Sequence, residues 1–256
     1  MGHQQHGAEL HPVWRYGGVE VKRSYTPWYA WIITLLLPVA LVLTAVRLLI
    51  TPLYLQIAYN MPGFPPDPYG FTKTERLYWA NIAAQYLLND ADISFLAELR
   101  FPAGQTAPEV SCRLMDDCTR LYNPRELKHL QDVKAVVQRA LQVWLGSLAL
   151  LAAGGIWAYF GGWRREYLRA LRRGGWLTLG LLGGITLFVL LAFGVIFVAF
   201  HNVFFAPGTW TFFYSDTLIR LFPERFWRDT FLAVALLAGG TGALIALLLR
   251  ERTTRD

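Results

Sequence analysis

The sequence predicts an all-α integral membrane protein: four transmembrane helices with an extracytoplasmic cap of mixed helix and short strands. Three observations carry that reading. First, 54% of the 256 residues are hydrophobic and only 16% are charged, too apolar a balance for a domain with a hydrated surface. Second, four stretches near 29–51, 138–160, 175–200 and 229–249 are dominated by Leu, Ala, Val, Ile and Phe. Each can cross a hydrocarbon core of ~30 Å, which takes about 20 helical residues, and a helix satisfies its own backbone in lipid. Third, basic residues crowd beside the spans. Arg164, Arg165, Arg169, Arg172 and Arg173 separate the second span from the third, Arg250, Arg252 and Arg255 close the chain, and Arg15, Lys22 and Arg23 precede the first. The positive-inside rule then puts both termini and the arginine segment in the cytoplasm. The net charge of +6 is therefore a topology signal, and such short juxtamembrane clusters do not describe a nucleic-acid binder.

Residues 1–28 read as a disordered cytoplasmic tail, because its His3, His6 and His11 have no companion ligand cluster. The span at 29–51 starts late, is long and lacks a small-residue cleavage site, so it stays as an anchor rather than a cleaved signal. Residues 52–128 form the cap. Met61-Pro62-Gly63-Phe64-Pro65-Pro66-Asp67-Pro68 can only be extended or turning chain. Thr72-Lys73-Thr74-Glu75 is a capping box. It opens a helix through Leu77, Trp79, Ile82, Ala83, Tyr86 and Leu87, whose aromatic-rich face is expected on the membrane or on the spans. From Arg100 to Leu121, Gly, Pro and Cys punctuate the chain and short strands are expected. Cys112 and Cys118 are the only cysteines, and an even count in an oxidising compartment favours a disulfide.

Asn123-Pro124-Arg125-Glu126 is a strong helix start, with Asn at the cap, Pro first and Glu third. No Gly or Pro follows until Gly146, so a helix is expected to begin in the cap and enter the membrane, with 129–160 as the cap-to-membrane helix and second span. His129 and Asp132 share one face of it, which lets the carboxylate orient or charge the imidazole. In an upright helix His129 would stand about 16 Å above the hydrocarbon, while a third span ending at Phe200 would reach about 40 Å. His129 and His201 can therefore meet at a cap–membrane interface. Residues 161–174 are expected as an Arg-rich cytoplasmic loop, 201–228 as an aromatic outer loop and 250–256 as a cytoplasmic tail.

His201 lies in Phe200-His201-Asn202-Val203-Phe204-Phe205, where the third span gives way to that outer loop. Imidazole titrates nearest to neutral pH, and ionisable groups beside a span are functional candidates. Phe204, Phe205, Trp210, Phe212, Phe213 and Tyr214 follow, then Leu221-Phe222-Pro223-Glu224-Arg225-Phe226-Trp227. That aromatic density suits a pocket gripping acyl chains, with re-entrant anchoring as the alternative.

At these residues the chain resembles the bacterial lipoprotein intramolecular transacylases. The resemblance rests on His129-Leu130-Gln131-Asp132-Val133, on Phe200-His201-Asn202-Val203-Phe204-Phe205 with Trp210, and on Leu221-Phe222-Pro223-Glu224. The order of spans and cap agrees over nearly the whole chain, while Cys112 and Cys118 look like an addition to the pattern. The resemblance implies a multi-pass enzyme of the bacterial cytoplasmic membrane with its site at the outer cap–membrane interface. It would move the sn-2 acyl chain of an S-diacylglyceryl lipoprotein to the α-amine of the N-terminal cysteine, giving the lyso form. His129 and His201 would be the catalytic pair, Asp132 and Asn202 would support them, and Phe204, Phe205 and Trp210 would contact substrate. An α-amine of pKa ~7.7–8.0 can lose its proton to a neutral imidazole of pKa ~6.5 as it attacks, and no cofactor or metal is needed. The expected partners are the lipoprotein and membrane lipid, with no nucleic acid, and the expected state is a monomer.

Two other classes compete. One is a non-enzymatic transport or assembly subunit; the spans carry few polar groups and no paired carboxylates for an ion path, which weighs against transport. A metal-dependent membrane hydrolase built on His129, Asp132 and His201 would have a sparse ligand set, and the chain has no HExxH.

Overall fold

A computed structural model of the chain describes residues 28–249. The tail with His3, His6, His11, Arg15, Lys22 and Arg23, and the closing Arg250, Arg252 and Arg255, lie outside the described residues. Helix α1 (Trp28–Leu49) is followed by α2 (Pro52–Asn60), α3 (Lys73–Leu88) and the short α4 (Ser94–Ala97) and α5 (Glu109–Cys112). Two long helices, α6 (Pro124–Phe160) and α7 (Arg164–Phe204), precede α8 (Thr217–Leu221), α9 (Glu224–Val234) and α10 (Gly240–Leu248). A π-helical turn at Ala235–Gly239 joins α9 to α10, so they form one continuous rod. Among the described residues four helices are long and apolar enough to cross a membrane: α1, α6, α7 and the α9–α10 rod.

The spans turn large apolar side chains outward, as lipid requires. Leu35, Leu150, Leu190, Leu191 and Leu236 are all at least 60% exposed. Between helices, small residues let backbones approach. A Cβ on Gly175 would lie 2.3 Å from the Gly242 carbonyl, and one on Gly174 would lie 2.8 Å from that of Thr34. Glycine at these two positions sets how closely α7 packs on α10 and α1.

The cap is helical. Thr72 and Glu75 make the reciprocal capping box that starts α3, and Asn123 and Glu126 make the one that starts α6. The buried face of α3 (Arg76, Trp79, Ala80, Ala83, Tyr86) packs on α2, α6 and α8, inside the cap rather than against the membrane. Phe71, Trp79, Tyr86, Leu96, Phe101, Leu121, Leu130 and Leu221 form its core.

Three expectations are corrected. Residues 201–228 are not one outer loop: 201–204 complete α7, α8 lies inside the segment and α9 begins at Glu224, because the run 200–204 continues the helix and Pro223 caps the next one. The described cap contains no strand: residues 100 and 120 make only an isolated antiparallel bridge. Pro102 and Pro108 cannot donate to a ladder, so pairing shrinks to single bonds such as Phe101 N to Thr119 O and Ala107 N to Cys118 O, both 2.8 Å. Cys112 and Cys118 are joined as a disulfide across that segment. Nor is 161–174 a loop. Only Gly161, Gly162 and Trp163 separate the two long helices, and the arginines lie in the first turns of α7. Arginine is a good helix former, and Gly162, at φ 75°, supplies the left-handed turn.

The Pro-rich segment is anchored by a buried ion pair. Asp67 and Arg220 have side chains 0% and 1% exposed, with Nη2 to Oδ2 at 2.9 Å. The guanidinium also stacks on Phe71, 3.8 Å from its ring centre. Asp67 additionally accepts the Phe71 N–H at 2.8 Å. Removing one partner strands the other charge, so Asp67→Ala should lose about 3–5 kcal/mol in denaturation of the purified protein. Asp67→Ala with Arg220→Met should recover part of it. A single variant as stable as wild type would contradict this account of the cap.

Candidate active site

His129 enters the site from the first turns of α6, and His201 from the last turn of α7. The start of α6 is fixed in detail. Asn123 Oδ1 accepts the backbone N–H groups of Arg125 and Glu126, each at 3.0 Å, while Glu126 Oε2 accepts that of Asn123 at 2.8 Å. Glu126 Oε1 then accepts the Leu218 N–H at 2.6 Å, and Asn123 Nδ2 donates to Asp216 at 3.0 Å. These bonds tie the head of α6 to the chain after α7. Arg125 reaches back to the Thr211 carbonyl and lies 5.9 Å from the ring centres of Phe212 and Phe213. Phe212 is thereby held 5.3 Å from the ring of His129.

The two imidazoles, 72 positions apart in sequence, come together. Their ring centres are 6.3 Å apart and their planes differ by 22°. No hydrogen bond joins them, and the separation is beyond direct reach. Both residues are buried, at 6% and 8% exposure. Phe205 bridges them, 4.8 Å from His129 and 5.7 Å from His201. Trp210 lies 4.7 Å and Phe197 4.1 Å from His201. From beneath, Phe231 and Trp227 of α9 pack on Phe200 and Phe197 respectively.

The hydrogen bonding of the rings differs. His201 Nδ1 is 2.8 Å from the Phe197 carbonyl oxygen. A carbonyl only accepts, so Nδ1 carries the proton and Nε2 of the neutral ring keeps a lone pair. His129 Nδ1 is buried with no hydrogen-bond partner in the protein, as is Trp210 Nε1.

The other anticipated residues are less central. Asp132 Oδ1 accepts from Lys128 Nζ at 3.0 Å and makes no hydrogen bond to His129. Asn202 is exposed, and Phe204 is 47% exposed, packed on Phe200 and Phe205. Glu126, Arg125 and Phe197 are contributors that the sequence reading does not assign, whereas Phe212 belongs to the aromatic segment that it anticipates. In the sequence Glu126 and Arg125 show only a helix start. A ring four residues before His201, one turn back on its face, was a usable signal for Phe197. Among the described residues no group of three His, Cys, Asp or Glu side chains is placed to hold a metal ion.

Four helices able to cross a membrane, under a helical cap in which two imidazoles are buried together, define a multi-pass membrane-integral protein. The family described as "Lipoprotein intramolecular transacylase Lit" matches residues 31–227, and the chain belongs to it and is such a transacylase. A protein of Aquifex aeolicus (strain VF5), described as uncharacterized, is 28% identical over 206 residues, covering 78% of this chain and 82% of its own. The membrane-integral lipoprotein intramolecular transacylase Lit of Bacillus cereus has a similar fold. Its TM-score is 0.64 at 20% identity, covering 86% of this chain and 94% of that one. A variant of the Bacillus protein with one histidine replaced by alanine superposes with a TM-score of 0.56 at 19% identity, covering 87% and 92%.

His129 sits in the cap, well before Val143, where the exposed large apolar side chains of α6 begin. Burial, assisted by the neighbouring His201 and opposed by Asp132, pushes its pKa down to about 4. The folded value lies below the ~6.5 of an unfolded histidine, so the unfolded chain binds the extra proton between these values. Stability gained from His129 is therefore complete above pH ~6.5 and lost as pH falls towards about 4. Melting curves from pH 7 to 4 should show wild type losing stability relative to His129→Phe. Parallel curves would contradict a buried, neutral His129.

Proposed function

We propose that the protein transfers the sn-2 acyl chain of an S-diacylglyceryl lipoprotein to the α-amine of the lipoprotein's own N-terminal cysteine, through His129 and His201. The observation that carries this reading is the convergence of the two imidazoles in one buried aromatic cluster, with His201 Nδ1 committed to the Phe197 carbonyl. The amine nitrogen attacks the ester carbonyl carbon, and His201 Nε2 takes its proton. When the tetrahedral species collapses, the bond from carbon to the glyceryl oxygen breaks. The protonated His201 then gives its proton to that oxygen, so amide and free glyceryl hydroxyl form with no net change at the enzyme. Neutral His129 keeps one N–H and one lone pair, and its N–H holds the departing oxygen. Proton transfer of this kind contributes typically ~10²–10⁴-fold.

Nucleophile and ester belong to one flexible molecule, so bending it is the larger task. Orientation can supply up to ~7–11 kcal/mol. Phe205 and Trp210 flank the imidazoles and restrain the reacting end, while exposed Phe204 meets an acyl chain. The cap faces outward and both termini inward, in keeping with the arginines that begin α7 at the opposite end from His201. The protein acts as a monomer, with membrane lipid around it.

Mass spectrometry of a co-expressed lipoprotein's N-terminal peptide tests the chemistry, because fragmentation locates the acyl group on nitrogen or glycerol. His129→Ala and His201→Ala should each abolish N-acylation at unchanged expression, whereas Asp132→Asn should stay within a few-fold of wild type. N-acylation by either alanine variant at the wild-type level would overturn the mechanism. Reporter fusions test the orientation: fusions at both termini should report cytoplasm and one at residue 113 the outside. A cytoplasmic cap would overturn the site's placement.

A further inference from the structure

A buried indole N–H without an acceptor is uncommon, because tryptophan in protein interiors usually finds a partner. Among the described residues three indole nitrogens are buried and unpartnered, those of Trp79, Trp163 and Trp210. Trp79 belongs to the cap core, and Trp163 forms the turn between α6 and α7. Trp210 alone of these lies against the imidazoles, its ring centre 4.7 Å from His201 at an interplanar angle of 35°. The same cluster contains a second buried orphan, His129 Nδ1. Two of the rings that neighbour His201 thus carry an unsatisfied polar atom, while Phe197, Phe200 and Phe205 add hydrocarbon and the Phe197 carbonyl is already taken by His201 Nδ1.

The indole nitrogen can only donate. The reaction creates one atom that most needs a donor in such surroundings: the ester carbonyl oxygen, which takes a full negative charge when the amine adds. Preorganised donors in a water-excluded site are most effective where charge develops, because no reorganisation is needed at the moment of reaction. We propose that Trp210 is a catalytic residue whose Nε1–H hydrogen-bonds the ester carbonyl oxygen and stabilises the oxyanion. The inference rests on the transacylation reading. It divides the labour in the cluster: His201 moves the proton, His129 holds the departing glyceryl oxygen and Trp210 holds the carbonyl oxygen. No bond to Trp210 forms or breaks, and its proton stays on nitrogen throughout.

The test uses full-length protein in liposomes with a synthetic S-diacylglyceryl lipopeptide, its conversion followed by mass spectrometry. Trp210→Phe keeps an aromatic ring and removes the donor. Replacing Trp210 by benzothienylalanine, which puts sulfur in place of the N–H, keeps the shape of the indole. Both should lower kcat by about 100-fold with little change in KM, because the contact strengthens only as charge develops. The benzothienyl protein should melt at the wild-type temperature. If it turns over within about threefold of wild type, the N–H is not used and the inference is overturned, whatever the phenylalanine variant does. Active wild type alongside active benzothienyl protein would sink this inference alone. A folded wild type that leaves the lipopeptide unchanged would sink the transacylation reading and this inference with it.

Discussion

Glu126 is 1% exposed, and its two carboxylate oxygens hold different parts of the chain: one closes the capping box on Asn123, the other takes the backbone N–H of Leu218. The residue that starts α6 therefore also fixes the segment between α7 and α9. Asn123 repeats the link through Asp216, and Thr217 does so through the Leu121 carbonyl at 2.6 Å. One helical turn along, His129 inherits this registration, and Phe212 is carried to it by the same clamp. A buried carboxylate costs free energy unless its hydrogen bonds are met. Here both oxygens accept backbone N–H groups, which makes the joint between cap and spans satisfied and directional.

The second consequence of the fold is a water-poor setting for the histidines. Rings from α7 and from the chain after it surround His201, rings of α9 back them, and rings after α7 cover His129. Hydrogen bonds and developing charges interact more strongly there than in water. For His129, in the cap, that burial favours the neutral imidazole. His201 is oriented by a backbone carbonyl rather than by a carboxylate. That arrangement fixes its tautomer and, on the proposed mechanism, puts no negative charge beside the ester oxygen that would itself become negative.

Local signals in the sequence translate directly into structure where they are complete. Apolar length identified the four lipid-crossing helices, and the capping boxes at Thr72 and Asn123 marked where α3 and α6 begin. The strand expectation for 100–121 failed because short apolar runs between prolines cannot distinguish one bridge from a ladder. The arginine segment was mistaken for a loop because charge reports side of membrane, not backbone conformation. Asp132 illustrates a further limit: spacing of three puts it on the face of His129, but Lys128, four residues back, captures it. The pairing of His129 with His201 was legible as two histidines near one end of two spans. The Glu126–Leu218 bond that enforces it was not, because a long-range side-chain-to-backbone contact leaves no periodic trace.

On the proposed mechanism His129 and His201 act on one reaction as a unit. A double-mutant cycle in liposomes tests this most directly, with rates of lipopeptide N-acylation measured for wild type, His129→Gln, His201→Gln and the double variant. Groups acting as a unit lose activity non-additively, so the double variant should be little slower than the slower single one. If the two losses multiply, the imidazoles contribute independently and the paired mechanism is wrong.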